Sequence, residues 1–166
     1  MRLPSMTATS RSVASFLAAQ GPLLDVRSPG EYAQAHIPGA LSLPLFDDAE
    51  RAEIGCLYKA EGRQVAVRRG LALIGPRLED LAGQLQRYAD GAGNQPLRLH
   101  CWRGGMRSGA MAWALSLYGF DVFLLKGGYK QFRRYCLDTF EQRFPLLVLG
   151  GKTGSAKSLL LRALQP

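Results

Sequence analysis

Hydrophobic residues along the chain fall into short unbroken runs, separated by longer stretches in which they recur at helical spacing. The first run, Leu23-Leu24-Asp25-Val26-Arg27, follows Gly21-Pro22 and predicts a buried strand over 23–27. Ser28-Pro29-Gly30-Glu31 then turns the chain into a short helical segment. A second strand is expected over 40–44, after the turn Ile37-Pro38-Gly39, and Asp47-Asp48 are placed to cap a helix over 49–59. Leu, Ala, Arg and Gln recur at helical spacing over 64–88, and Gly75-Pro76 divides that stretch into two helices, since proline lacks a donor and disfavours helix in the residue before it. Residues 90–94, Asp90-Gly91-Ala92-Gly93-Asn94, read as a loop, and a strand over 97–100 leads straight into Cys101. An apolar helix over 108–118, a strand over 121–125 and a cation-rich amphipathic helix over 129–144 continue the alternation. Strands separated by helices imply an α/β fold with a mainly parallel sheet covered by helices on both faces.

After Pro145 the pattern restarts, with a hydrophobic strand expected over 146–149, a glycine-containing loop and the apolar Ser158-Leu159-Leu160-Leu161. The organisation read from this is one domain over 1–144, then residues 145–166 as the beginning of a truncated strand–loop–helix domain, because a second α/β domain needs far more chain. The loop Gly151-Lys152-Thr153-Gly154-Ser155-Ala156-Lys157-Ser158 matches a Walker A phosphate loop except at Ala156, where glycine is expected. In such a loop the backbone around Gly151 and Gly154 cradles phosphates, Lys157 pairs with their charge and Ser158 reaches Mg²⁺. Ala156 is expected near the first helical turn, where a methyl group is tolerated.

Hydrophobic residues at 47% and charged residues at 20% suit a soluble globular domain. No apolar run approaches the ~20 residues that span a bilayer, and the N-terminal stretch is too short and polar for a signal peptide, so a cytoplasmic protein is expected. Cys56, Cys101 and Cys136 lie apart, without metal-ligand spacing or a CxxC pair; no metal and no disulfide framework is expected, and free thiols fit a reducing compartment. A formal net charge of +8 attracts polyanions such as nucleic acid, or serves solubility alone.

The strongest chemical signal is His100-Cys101-Trp102-Arg103-Gly104-Gly105-Met106-Arg107-Ser108, a cysteine at a strand end followed by a loop that closes into a helix. Successive backbone N–H groups and the helix N-terminus of such a loop favour an anion, and Arg103 and Arg107 add positive charge, so Cys101 is the candidate nucleophile with a lowered pKa. Gly104 and Gly105 allow backbone conformations that side chains forbid. Cys56 and Cys136 lack such neighbours and read as packing residues. His100 should point to the opposite sheet face from Cys101, and His36 reads as a structural hydrogen-bonding residue. Asp25 and Arg27, at the end of the first strand, fit either a site or a buried ion pair.

Asp25-Val26-Arg27-Ser28-Pro29-Gly30-Glu31-Tyr32, His36-Ile37-Pro38-Gly39-Ala40, the Cys101 loop and Leu125-Lys126-Gly127-Gly128-Tyr129 together resemble, in order and spacing, the rhodanese family over about residues 12–144. Five residues separate Cys101 from Arg107, one more than in that family's usual single-domain sulfurtransferases, and the C-x5-R loop also resembles the family's phosphatase branch. A rhodanese domain running into a phosphate loop, together with Glu50-Arg51-Ala52-Glu53-Ile54-Gly55-Cys56-Leu57-Tyr58-Lys59 and Cys101-Trp102-Arg103-Gly104-Gly105-Met106-Arg107-Ser108, resembles the tRNA 2-selenouridine synthases. That resemblance implies a transferase replacing sulfur by selenium in wobble 2-thiouridine of tRNA, with selenophosphate as donor and S-geranyl-2-thiouridine as intermediate, hence geranyl diphosphate as a second substrate. Cys101 would then be the essential thiol and Arg107 would hold an anionic donor. Arg63, Arg68, Arg69, Arg133, Arg134 and Arg143, on or next to predicted helices, would include contacts to tRNA phosphates. Two alternatives remain at this point: a C-x5-R phosphatase, and an inactive rhodanese-like module held on tRNA by charge.

Overall fold

The computed structural model describes residues 8–92, 95–143, 145 and 147–164. Five strands form one sheet: β1 (Thr9–Arg11), β2 (Leu23–Asp25), β3 (Leu41–Ser42), β4 (Leu97–His100) and β5 (Val122–Leu125), in the order β1-β5-β4-β2-β3. Every pairing is parallel, as the alternation of strands and helices requires. The helices are α1 (Val13–Ala18), α2 (Pro29–Gln34), α3 (Asp48–Ala60), α4 (Arg63–Ile74), α5 (Leu78–Ala92), α6 (Met106–Leu117), α7 (Gly128–Phe140) and α8 (Lys157–Ala163). Among the described residues, none of these is long and apolar enough to cross a membrane.

Alternate side chains of the central strands feed two cores, as the period of a strand dictates. Leu24, Leu97, Leu99 and Val122 pack with Ile74 of α4, Leu85 of α5 and Met111 and Leu115 of α6. Leu23 and Leu125 pack on the other face with Phe16 of α1 and Tyr129 of α7. The predicted helix pair over 64–88 is α4 and α5, joined by a 3₁₀ turn over Gly75–Arg77 that contains the proline. The predicted cap also forms: Glu50 N donates to Asp47 Oδ1 at 2.7 Å and Asp47 N to Glu50 Oε2 at 3.0 Å. Asp48 instead accepts from Gly30 N at 3.0 Å, which ties α3 to α2.

Three expectations need correction, and one strand was not expected. Residues 90–92 of the loop read over 90–94 are helical instead, because α5 runs on through Ala92; one glycine near the end of a helix costs only about 1 kcal/mol against a helix already propagating. Gly93 and Asn94 lie outside the described residues. Helix α7 stops at Phe140, whose side chain is 83% exposed and so has no core to follow, which leaves Arg143 beyond the helix; Phe144 lies outside the described residues. No strand forms over 147–149, where Leu147 and Val148 are exposed with no neighbouring strand to pair with; Leu146 lies outside the described residues. Strand β1 was not predicted, since Thr9-Ser10-Arg11 has no apolar alternation; it is an edge strand paired only to β5, with Arg11 over the Phe123 ring at 4.3 Å.

Strand β2 ends at Asp25 because that side chain recaptures the chain. Asp25 Oδ1 accepts from Arg27 N at 3.0 Å, and the carboxylate takes Arg27 Nε at 3.0 Å and Nη2 at 2.6 Å. Both residues are completely buried, and Arg27 Nη2 also donates to Ala35 O at 2.7 Å while its guanidinium lies 4.0 Å from the Tyr129 ring centroid. Asp25 and Arg27 are thus the buried ion pair of the two readings the sequence left open. Breaking it strands a buried charge, so Asp25→Asn should lower stability by about 3 kcal/mol or more, read as a shift of the urea midpoint at unchanged slope.

Candidate active site

The cysteine loop leaves β4 at the carboxyl edge of the parallel sheet, where successive strand ends and helix starts converge. Its path is fixed by contact with the turn before α7. Tyr129 N donates to Cys101 O at 2.8 Å and Lys130 N to Trp102 O at 3.0 Å, so the first carbonyls of the loop cap the N-terminus of α7. A Cβ on Gly104 (φ 64°) would stand 2.6 Å from Leu125 O, and one on Gly128 (φ 62°) would collide with Cys101 O and Gly104 N. The glycines at these two places are demanded by backbone meeting backbone. Gly105 caps α6, and a Cβ there meets nothing within 4 Å.

Cys101 is 3% exposed and packs against the same core as Leu45, Phe46 and Ile74. Its Sγ lies 3.2 Å from Ser108 Oγ. Burial raises the thiol pKa, but the Ser108 hydroxyl, the backbone N–H groups of Ser108 and Gly105, and the charge of Arg107 together outweigh it, and the net direction is downward. The structure therefore brings Cys101, Gly105, Arg107 and Ser108 into one anion-stabilising loop. Arg103 is exposed and does not contribute to the shift.

Arg107 is not idle. Its Nη1 donates to Glu31 Oε2 at 2.6 Å and its Nη2 to Glu31 Oε1 at 3.3 Å. Glu31 sits in the first turn of α2, where it also accepts from Ser28 N at 3.2 Å. Burial raises the Glu31 pKa, but the Arg107 hydrogen bond and charge, the Ser28 N–H and Arg51 prevail and lower it, which leaves a carboxylate at neutral pH. In the sequence Glu31 belongs to a turn and to a family-like string; its partnership with Arg107, 76 positions away, is a product of folding.

His100 points away from Cys101, as strand alternation requires, and lies 6.3 Å from the Tyr129 ring, completely buried. Its Nδ1 is 3.7 Å from Asp25 Oδ1, beyond hydrogen-bonding reach, and neither ring nitrogen has a partner among the described residues. Burial pushes its pKa down to about 4; Arg27 adds to this and Asp25 opposes it. His36 has the structural role expected of it: Nδ1 lies 3.1 Å from Tyr32 O and the ring stacks on Tyr32 at 4.1 Å. Cys136 is half-buried, but Cys56 is exposed on α3, so the packing role read for Cys56 does not hold. Among the described residues, no group of three or more His, Cys, Asp or Glu is placed to hold a metal.

The predicted phosphate loop closes on its own lysine. Lys157 Nζ donates to Gly151 O at 2.8 Å, Lys152 O at 2.7 Å and Ser155 Oγ at 3.3 Å. Gly154 has φ 87°, and Ser158 is exposed in the first turn of α8. Ala156 lies beside the first helical turn, as expected, but in a left-handed conformation. It precedes α8 at φ 56°, the only non-glycine residue with positive φ among the described residues, a conformation costing roughly 1 kcal/mol.

Two measurements check these assignments. Ser108→Ala removes a hydrogen bond that stabilises the thiolate, so the alkylation rate of Cys101 should reach its midpoint at higher pH than in the unaltered protein; because the thiol is buried, the midpoint and not the speed reports it. His100 is neutral when buried but takes up a proton in the unfolded chain as pH falls below its ordinary 6.5, so stability is complete above pH 6.5 and declines towards the folded pKa of about 4. The decline, of order 3 kcal/mol, should be shallower in His100→Leu when unfolding is followed across that window.

Residues 11–135 match the family described as Rhodanese-like domain. The chain is 38% identical over 146 residues to a tRNA 2-selenouridine synthase of Psychromonas ingrahamii and 40% identical over 148 residues to one of a Sulfurovum species, covering 86% and 87% of this chain. It spans about two-fifths of the length of those relatives, 39% and 40%. Among solved structures, it is similar to the N-terminal domain of a Clostridium difficile 630 protein described as ATP/GTP-binding, with a TM-score of 0.73 and 34% identity over 78% of this chain and 99% of that one. The parallel five-stranded sheet, the cysteine loop at its carboxyl edge and the match over 11–135 agree, and the chain belongs to the rhodanese-like domain family.

Proposed function

We propose that this chain is the cysteine-bearing part of a tRNA 2-selenouridine synthase, a transferase that exchanges sulfur for selenium in wobble 2-thiouridine of tRNA, with Cys101 as its working thiol. The observation that carries this reading is the loop in which Ser108, two backbone N–H groups and Arg107 favour a thiolate at Cys101. Such a loop serves a nucleophilic sulfur and an anionic donor together. The relatives named as tRNA 2-selenouridine synthases support tRNA as the substrate. Selenophosphate would be the anion that Arg107 and the loop hold, and S-geranyl-2-thiouridine, formed with geranyl diphosphate, the species attacked. Residues 145–166, with Lys157 and Ser158, would begin a phosphate-binding domain that engages a phosphate or diphosphate group.

The tRNA backbone accounts for the +8 charge. Of the arginines considered for that role, Arg69 is already bound by Glu53 at 2.6 Å and Arg134 by Asp138 at 3.1 Å. Arg63 and Arg68 on α4, Arg133 on α7 and Arg143 beyond it are exposed and have no such carboxylate partner among the described residues.

A C-x5-R phosphatase needs an acid to protonate the leaving oxygen. The carboxyl joined to Arg107 is Glu31, which is held ionised and cannot fill that role.

The test is an assay on 2-thiouridine-containing tRNA with geranyl diphosphate and selenophosphate, carried out with this chain and with the chain extended to the length of its relatives. Cys101→Ser should abolish selenium incorporation by the active form, and tRNA binding should weaken steeply with salt, less so after Arg63→Glu and Arg68→Glu. Full selenium transfer by Cys101→Ser would sink the reading.

A further inference from the structure

Behind the start of α6, between that helix and helices α3 and α4, lies a cavity of about 120 Å³. Its wall is almost wholly hydrocarbon, with Phe46, Ile54, Leu71 and Ile74 on one side and Ala110 on the other. Gly70 keeps it open, since a Cβ there would stand 3.3 Å from Phe46 Cζ and 3.6 Å from Ile54 Cδ1. The mouth reaches solvent at Leu71, which is 61% exposed, and at Met106, which is 47% exposed. A water needs two to four polar partners, and these walls do not provide them; a dry cavity of roughly 150 Å³ lined in this way accepts benzene, so this one suits about five or six carbons.

One charged residue lines the cavity, and it is Arg107. The same arginine acts on the Cys101 thiolate and projects from the first turn of α6, so cavity and cysteine loop share a wall. Phe46 and Ile74, which line the cavity, belong to the core that contains Cys101. A carbon-lined slot that an arginine side chain helps to line, its guanidinium bound by a single carboxylate, is complementary to a molecule with an anionic head and a short hydrocarbon tail. Neither an extended peptide nor a nucleotide base fits, because both bring polar edges that the walls leave unpaired.

We propose that this cavity seats the hydrocarbon chain of an isoprenoid diphosphate whose anionic end lies at Arg107, beside the Cys101 loop. The first branched five-carbon unit fills the slot and the remainder lies across Val67 and Leu71 at the mouth. This rests on the reading of the chain as a selenouridine synthase domain, and it deepens that reading by placing the geranyl group within the rhodanese-like domain and away from the 151–158 loop.

The test is calorimetric titration with geranyl diphosphate and with inorganic diphosphate. Geranyl diphosphate should bind at least about tenfold more tightly, because the tail leaves water. Ala110→Leu, which fills the slot from an exposed position on α6, should erase that difference and leave inorganic diphosphate unaffected; Leu71→Gln, at the exposed mouth, should reduce it even if the first variant unfolds. The difference should persist in Lys157→Ala. Equal affinity for the two ligands, no measurable binding of either, a difference that survives both cavity variants, or one that vanishes in Lys157→Ala would each overturn the proposal. Failure of the functional reading looks different, since selenium transfer by Cys101→Ser would discard that reading without moving the ratio of the two affinities.

Discussion

Backbone lies directly on backbone where the cysteine loop meets the turn into α7, and the site depends on that approach. Gly104 and Gly128 leave no room for side chains between the two segments, and the first N–H groups of α7 find their acceptors in Cys101 O and Trp102 O. The loop carbonyls are thereby drawn towards α7, while N–H groups of Gly105 and Ser108 remain for the sulfur. A helix start that would otherwise leave donors unpaired thus orients the peptide groups that stabilise a thiolate.

A second buried layer holds that arrangement from below. Asp25 ends β2 by binding Arg27, Arg27 lies on the Tyr129 ring, and Tyr129 is the residue whose N–H meets Cys101 O. His100, neutral and without a hydrogen-bond partner among the described residues, fills the space between Asp25 and Tyr129. The ion pair carries many close contacts for two charges removed from water, and its main service is geometric: it sets the ends of β2 and the seat of Tyr129 from which the loop is hung.

The electrostatics of the site are then a matter of balance. Burial opposes the Cys101 thiolate, and hydrogen bonds from Ser108 and the backbone, with Arg107 behind them, reverse the outcome. Arg107 is itself tethered by Glu31, and the same side chain lines the apolar cavity. A rhodanese-like frame in which a thiolate, a fixed cation and a carbon-lined slot adjoin is suited to a substrate that is anionic at one end and greasy at the other.

By itself the sequence determined the alternation of strands and helices, the split at Gly75-Pro76, the cap at Asp47 and the position of Cys101 at a strand end, since each is written in local spacing, in proline and glycine, or in a short polar side chain. The Cys101 loop was legible because two glycines and two arginines cluster after a cysteine at a strand end. Tertiary structure alone decided the rest. The pairing of Glu31 with Arg107 joins residues 76 positions apart, and nothing local distinguishes Glu31 from any acid in a helix's first turn. Strand β1 exists because β5 offers an edge and not because Thr9-Ser10-Arg11 favours a strand, while the apolar residues 147–149 pair with no strand of the sheet. The cavity beside Arg107 is likewise invisible in sequence, because Phe46, Gly70 and Ala110 acquire a common wall only when α4 and α6 pack over the sheet.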